Sequence, residues 1–273
     1  MKAARFDYAR ARSLAHAVEL IGGGDGFVKL LAGGQTLGPM LNLRLVQPDL
    51  LVDVGRLDET TTWRDEGGIL VIGAGVTHAA IEDGILPGPT GAVLAGIASG
   101  IAYRAVRNRG TIGGSLAHAD PAADWLSSLA ALGAEIVVLG PAGERRVKVA
   151  QLAKGAFATS IGDDEILREV AVPRLAKAAR WGYYKFCRKT GDFAEAIGAV
   201  LHDPERAVLR LVMGATNGAP IVLDLAAPGG IPEAFDRAVL GRVLDDHGFA
   251  DDPYGKAVHL VAADRALAEA RRQ

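Results

Sequence analysis

Two hydrophobic periods alternate along the chain. Behind Ser13, a good helix cap, Leu14, Ala17, Val18 and Ile21 recur at helical spacing, and the pattern stops at Gly22-Gly23-Gly24. Val28 to Ala32 is a short apolar run that predicts a buried strand. Gly33-Gly34-Gln35-Thr36 turns the chain, and Leu37, Met40, Leu41 and Leu45 form the stripe of a second helix, with Pro39 in its first turn. Strands are predicted at Leu50 to Val54 and Ile69 to Ile72. Thr77 caps a short helix ending near Gly84, and Pro87 to Pro89 interrupts the chain before a helical pattern over Val93 to Ile101. After a second glycine-rich stretch, Asp120 and Pro121 suit the cap and first position of a helix carrying Trp125, Leu126, Leu129 and Leu132. That helix closes at Gly133, and Ala134 to Leu139 returns as a strand.

From about Glu165 the texture changes. Longer strand-like runs follow one another, EILREVAV, WGYYKFCRK, AIGAVL and AVLRLVMGA, and then two helical segments, Pro232 to His247 and Tyr254 to Arg272. Strands first and helices last predict an α+β layer, so a domain boundary is placed near residues 160 to 170. No internal repeat of 20 to 50 residues is visible.

Composition narrows the possible chemistry. The 273 residues can bury a full core, and 30 basic against 32 acidic residues leave a formal charge of only -2, which recommends neither a nucleic-acid nor a membrane partner. The lone Cys187 excludes an intrachain disulfide, and the six histidines lack the spacing of metal ligands, so no protein-held metal or cluster is expected. The N-terminal stretch has no apolar signal core, and no window offers about 18 uninterrupted apolar residues. The expectation is a cytoplasmic protein without a membrane span.

Thirty-five glycines are many, and they lie as doublets within apolar sequence. Backbone amides at a glycine turn before a helix form a concave donor site, and the helix start adds partial positive charge, so such a turn favours phosphate. Here it occurs twice with a hydroxyl alongside: Thr36 after Gly33-Gly34, and Thr111 and Ser115 around Gly113-Gly114. Two such turns would suit a pyrophosphate gripped from both sides, and a bulky residue at Gly33 or Gly114 would intrude on it. Plain turn chemistry is the alternative for either turn alone. Neither turn matches a P-loop or a dinucleotide-binding fingerprint.

The motifs AGGQTLGPMLNLR (Ala32 to Arg44), RNRGTIGGSLAHADPAAD (Arg107 to Asp124) and YYKFCRKTGDFA (Tyr183 to Ala194) together resemble the flavoprotein, or medium, subunit of the molybdenum hydroxylases. That family includes the carbon monoxide dehydrogenase medium subunit and the FAD domain of xanthine dehydrogenase. The resemblance implies an α+β protein: a two-lobed FAD-binding domain of the PCMH type over residues 1–165, with lobes at about 1–55 and 56–165, then an α+β C-terminal domain over 166–273 with an antiparallel sheet and helices.

It also implies site residues. Lys29, Leu30, Leu31, Ala32, Gly33, Gly34, Gln35 and Thr36 would line the adenine and pyrophosphate side, and Thr111, Gly113, Gly114 and Ser115 would close on the pyrophosphate from the second lobe. Ser115 stands where many relatives have asparagine. Asp124 falls where the family places a carboxylate toward the ribityl or adenosine part, Lys185 matches a lysine near the flavin ring that would favour its reduced, anionic form, Ile101 joins the cofactor set, and Phe193 faces the isoalloxazine. His118 receives no role. Molybdopterin and [2Fe–2S] clusters are expected on partners, a large and a small subunit assembled as a dimer of heterotrimers. The function implied is electron transfer from those clusters through FAD to an acceptor. The alternatives are a stand-alone flavin reductase of the same fold and a non-redox nucleotide-binding module.

Overall fold

The computed structural model describes residues 2–23, 26–226 and 230–273. The first lobe is a β-α-β-α-β unit: β1 (Asp7–Arg10), α1 (Leu14–Gly22), β2 (Val28–Leu31), α2 (Leu37–Asn42) and β3 (Leu50–Asp53). Its strands are all parallel in the order β1-β3-β2, with Asp7 and Val28 both opposite Leu50. Ser13 caps α1 by accepting from the His16 amide at 3.1 Å, and Gly23 ends it. Gly24, third of the predicted stop glycines, lies outside the described residues. The second helix is shorter than its apolar stripe: α2 ends at Asn42, Arg44 turns at φ +57°, and Leu45 is exposed instead of core-facing.

The second lobe contains α3 (Asp58–Thr61), β4 (Trp63–Asp65), β5 (Ile69–Gly73), α4 (His78–Glu82), α5 (Gly88–Ser99), α6 (Arg104–Arg107), α7 (Ile112–His118), α8 (Asp124–Leu132), β6 (Glu135–Gly140), β7 (Gly143–Lys148), β8 (Ala153–Gly155), β9 (Ala158–Thr159) and β10 (Ile166–Pro173). The main sheet is antiparallel, in the order β4-β5-β10-β6-β7. The boundary at 165 is therefore corrected: β10 is the central strand of this sheet, pairing with both β5 and β6, and cutting before it would strip the lobe of its core strand. Pro87 and Pro89 do not precede the next helix but begin it, so α5 starts five residues before Val93. The expected cap at Asp120 is also corrected. Asp120 accepts from the Ala122 amide at 2.9 Å to make a local turn, and α8 begins at Asp124 behind Ala123.

The C-terminal unit comprises β11 (Arg180–Phe186), β12 (Ala196–Asp203), β13 (Val208–Gly214), β14 (Ile221–Asp224), α9 (Arg237–Leu244) and α10 (Pro253–Arg272). Its antiparallel sheet runs β11-β12-β13-β14. β12 is apolar from Ala196 to Leu201 because helices cover both faces: α8 on one and α10 on the other. α10 comes very close. A Cβ on Gly182 would stand 1.8 Å from the Ala266 carbonyl oxygen, and one on Gly198 would stand 2.3 Å from that of Ala262, so backbone meets backbone along a helix face of buried alanines. α9 starts at Arg237 behind Asp236, five residues later than Pro232, because the Asp236 carboxylate accepts from the Ala238 and Val239 amides at 2.9 and 3.1 Å.

Candidate cofactor site

The two glycine turns meet between the lobes. A Cβ on Gly33 would lie 2.0 Å from the carbonyl oxygen of Arg109 and 2.9 Å from the Cα of Gly110, so the first turn lies directly on the backbone leading into the second. Gly110 is packed in turn on His78: its carbonyl accepts from the His78 amide at 2.9 Å, and a Cβ there would reach the imidazole at 2.8 Å. The His78 Nδ1 accepts from the buried Trp125 indole at 3.1 Å. Burial, followed by the nearby Arg107 charge, pushes His78 down to about 4, which keeps the ring neutral and able to accept.

The turns differ in what they offer an anion. Gly34 sits at φ +71°, and among the described residues no backbone or side-chain acceptor is bonded to the amides of Gly33, Gly34, Gln35 or Thr36. In the second turn the donors are already used. Thr111 caps α7 by accepting from Gly114 at 3.0 Å, while the Ile112 and Gly113 amides donate to Val76 and Ala74 and that of Ser115 donates to Thr111. Gly113 is dictated by protein packing, since its Cβ would come within 2.4 Å of that of Ala74. Gly114 is exposed and its Cβ would meet only the Thr111 hydroxyl, at 2.8 Å. The free amides of the first turn are thus the part that fits a pyrophosphate.

Lys29, Leu30 and Leu31 lie on β2. Leu30 packs in the first-lobe core, and the Lys29 ammonium sits 5.1 Å over the Phe27 ring. His118, on α7, packs on the exposed Phe157 with centroids 5.1 Å apart. Its pKa is lowered mainly by burial, against the opposing pull of Asp120 and with a further lowering by Lys29.

A second group of residues forms around the loop between α5 and α6. Asp124 and Lys185, distant in sequence, are an ion pair at 2.9 Å, with side chains only 6% and 12% exposed. The other Asp124 oxygen accepts from the Tyr183 hydroxyl at 2.7 Å, and the Lys185 ammonium also reaches the Gly100 carbonyl at 3.5 Å. Both Asp124 oxygens therefore have protein partners, and the Lys185 charge is compensated by a carboxylate. Burial, with the Asp124 charge and hydrogen bond, pushes the Tyr183 phenol well above its ordinary value, so it remains a protonated donor. Ile101 packs partly on the core beside this loop. Phe193 is 66% exposed and not core, on a segment seated against the loop: Gly191 turns at φ +82°, and its Cβ would stand 2.5 Å from the Ala102 carbonyl oxygen.

Sequence reasoning missed Tyr183, although it lies two strand positions before Lys185 on the same face. It also missed Arg107, which stands in a quoted motif and holds the loop through its guanidinium.

The family described as the FAD binding domain in molybdopterin dehydrogenase matches residues 4–175. The chain is 38% identical to the carbon monoxide dehydrogenase medium chain of Hydrogenophaga pseudoflava over 224 residues, covering 80% of this chain and 77% of that one. It is 32% identical to the nicotine 6-hydroxylase medium subunit of Paenarthrobacter nicotinovorans, over 99% of both chains. Among solved structures, it superposes on a chain of the H. pseudoflava carbon monoxide dehydrogenase lacking the Mo-pyranopterin moiety of its cofactor. The TM-score is 0.84 at 33% identity, covering 100% of this chain and 99% of the other. The α+β fold, the paired turns and these likenesses agree, and the chain belongs to the FAD-binding medium subunits of the molybdenum-dependent hydroxylases and dehydrogenases.

Proposed function

We propose that this chain holds FAD between its lobes and the C-terminal domain and relays electrons from the [2Fe–2S] clusters of a small subunit to an acceptor, after substrate is oxidised at molybdenum on a large subunit. The observation that carries this reading is the abutment of Gly33 on Arg109 and Gly110, which sets four unpaired amides of the first lobe beside the second turn. Those amides would bind the pyrophosphate, with Thr36 and Ser115 supplying hydroxyls at the rim. Thr111, Gly113 and Gly114 would shape the opposite wall instead of donating from their backbone. Lys29 and the Leu30 to Ala32 segment would border the adenosine side. Ile101, the Lys185–Asp124 pair and Phe193 would border the ring, with Lys185 acting as half of a compensated pair and its field correspondingly reduced. Bound FAD accepts electrons singly and delivers them singly or in pairs, and the chain's task is to hold and tune it.

The assembly proposed is two copies each of this chain, a large molybdopterin subunit and a small cluster-bearing subunit, in the cytoplasm. The test is anaerobic flavin reduction. Substrate should bleach the flavin absorbance in the co-purified complex and leave the isolated, FAD-loaded chain unchanged. Bleaching of the isolated chain by an organic substrate would support a stand-alone reductase instead, and a native mass lacking either partner would refute the assembly.

A further inference from the structure

The Arg107 guanidinium is 11% exposed and makes a two-sided clamp. Nε and Nη2 donate to the Glu82 carboxylate at 2.7 and 2.8 Å, while Nη1 donates to the carbonyls of Ile101 and Ala102 at 2.8 and 3.0 Å. The loop it grips is held in a conformation it would not choose alone: Ala102 sits at φ +45°, a left-handed state costly for a residue with a Cβ. Lys185 reaches the preceding carbonyl, that of Gly100, from the C-terminal domain, and the Ala102 carbonyl fills the space beside Gly191. Glu82 ends α4, whose first residue, His78, donates its amide to the Gly110 carbonyl under the glycine turns. One short helix thus braces both the turn region and the loop.

We propose that Arg107, held by Glu82, is a positioning residue that fixes the Gly100–Ala102 loop and through it the environment of the flavin ring. This rests on the reading under Proposed function that the loop borders the ring. The guanidinium fork is needed because it satisfies a carboxylate and two carbonyls at once, and an ammonium cannot span all three in one plane. Losing it would leave two carbonyls without their charged donor and a left-handed residue without its restraint, so the loop would relax away from Gly191 and Lys185.

The experiment compares the wild-type full chain with Arg107→Lys, Arg107→Gln and Glu82→Gln, each saturated with FAD, by visible absorbance, flavin fluorescence and FAD titration. The proposal expects FAD to dissociate on the order of tenfold more readily from Arg107→Gln, the worth of about one charge-assisted hydrogen bond. Fluorescence per bound flavin should rise as the ring loosens, Arg107→Lys should recover part of both changes, and Glu82→Gln should shift them in the same direction. Should Arg107→Gln fail to fold, the other two variants carry the same comparison. Unchanged spectra, fluorescence and affinity in the FAD-replete variants would overturn the proposal, whereas a wild-type chain that takes up no FAD would overturn the cofactor-site reading beneath it.

Discussion

Replacing Asp124 by alanine removes the one carboxylate that pairs with Lys185 and accepts from Tyr183. What remains for the ammonium is the Gly100 carbonyl at 3.5 Å, in a position where the lysine side chain is only 12% exposed. Breaking a buried pair from one side leaves a charge without compensation and costs about 3–5 kcal/mol. With roughly 2–4 °C per kcal/mol for a chain of this size, the thermal midpoint of the FAD-free chain should fall by about 10 °C. Lys185→Met should cost less, because the Tyr183 hydroxyl still donates to the carboxylate. The double variant should be less destabilised than the sum of the two singles by at least about 2 kcal/mol, the signature of direct coupling. Calorimetry or circular dichroism on all four proteins reads the cycle. A loss under about 1 kcal/mol for Asp124→Ala, with additive singles, would refute the reasoning and return Asp124 to a role directed at the cofactor alone.

Gly33→Ala should lower FAD affinity at least about tenfold, since its Cβ meets the Arg109 carbonyl at 2.0 Å and must part the lobes, whereas Gly114→Ala should be mild; flavin retention after gel filtration compares them, and equal retention would contradict the packing argument. His78 contributes a pH dependence: its ordinary value is 6.5 and its folded value about 4, so below 6.5 the unfolded chain binds a proton that the folded chain refuses. The associated stability is full above pH 6.5 and declines by about 3 kcal/mol as pH falls to about 4; subtracting the His78→Asn unfolding curve from that of the parent should isolate this slope, and a flat difference would refute it. Gly182→Ala should destabilise by about 1–3 kcal/mol through overpacking, as a Cβ 1.8 Å from the Ala266 carbonyl forces α10 off the sheet; an unaltered urea midpoint would contradict that close approach.

The helices and strands with a clear period were legible in the sequence, and so were the two glycine stretches as turns that lead into helices. Ser13 and Thr77 cap as expected because their hydroxyls act within three residues, a local event. The strand β7, GERRVK, was not legible: it is an exposed edge strand, and polar residues there leave no period to read. The boundary was misplaced because β10 and β11 are both strand-like runs, and only pairing, which is non-local, assigns the first to the second lobe. The same non-locality hid the chemistry. Asp124 and Lys185 were read one at a time, and that they pair with each other across 61 positions of chain was not legible. Gly33 was expected to make room for phosphate, and its neighbour in space is the backbone of Arg109.

The most direct measurement is the flavin content of the purified full chain, by absorbance and by chromatography of the flavin released on denaturation. The account predicts about one FAD per chain, lost in Gly33→Ala and kept in Gly114→Ala. A wild-type chain carrying no flavin, or carrying FMN, which lacks the pyrophosphate that the Gly33–Thr36 amides are proposed to bind, would contradict it.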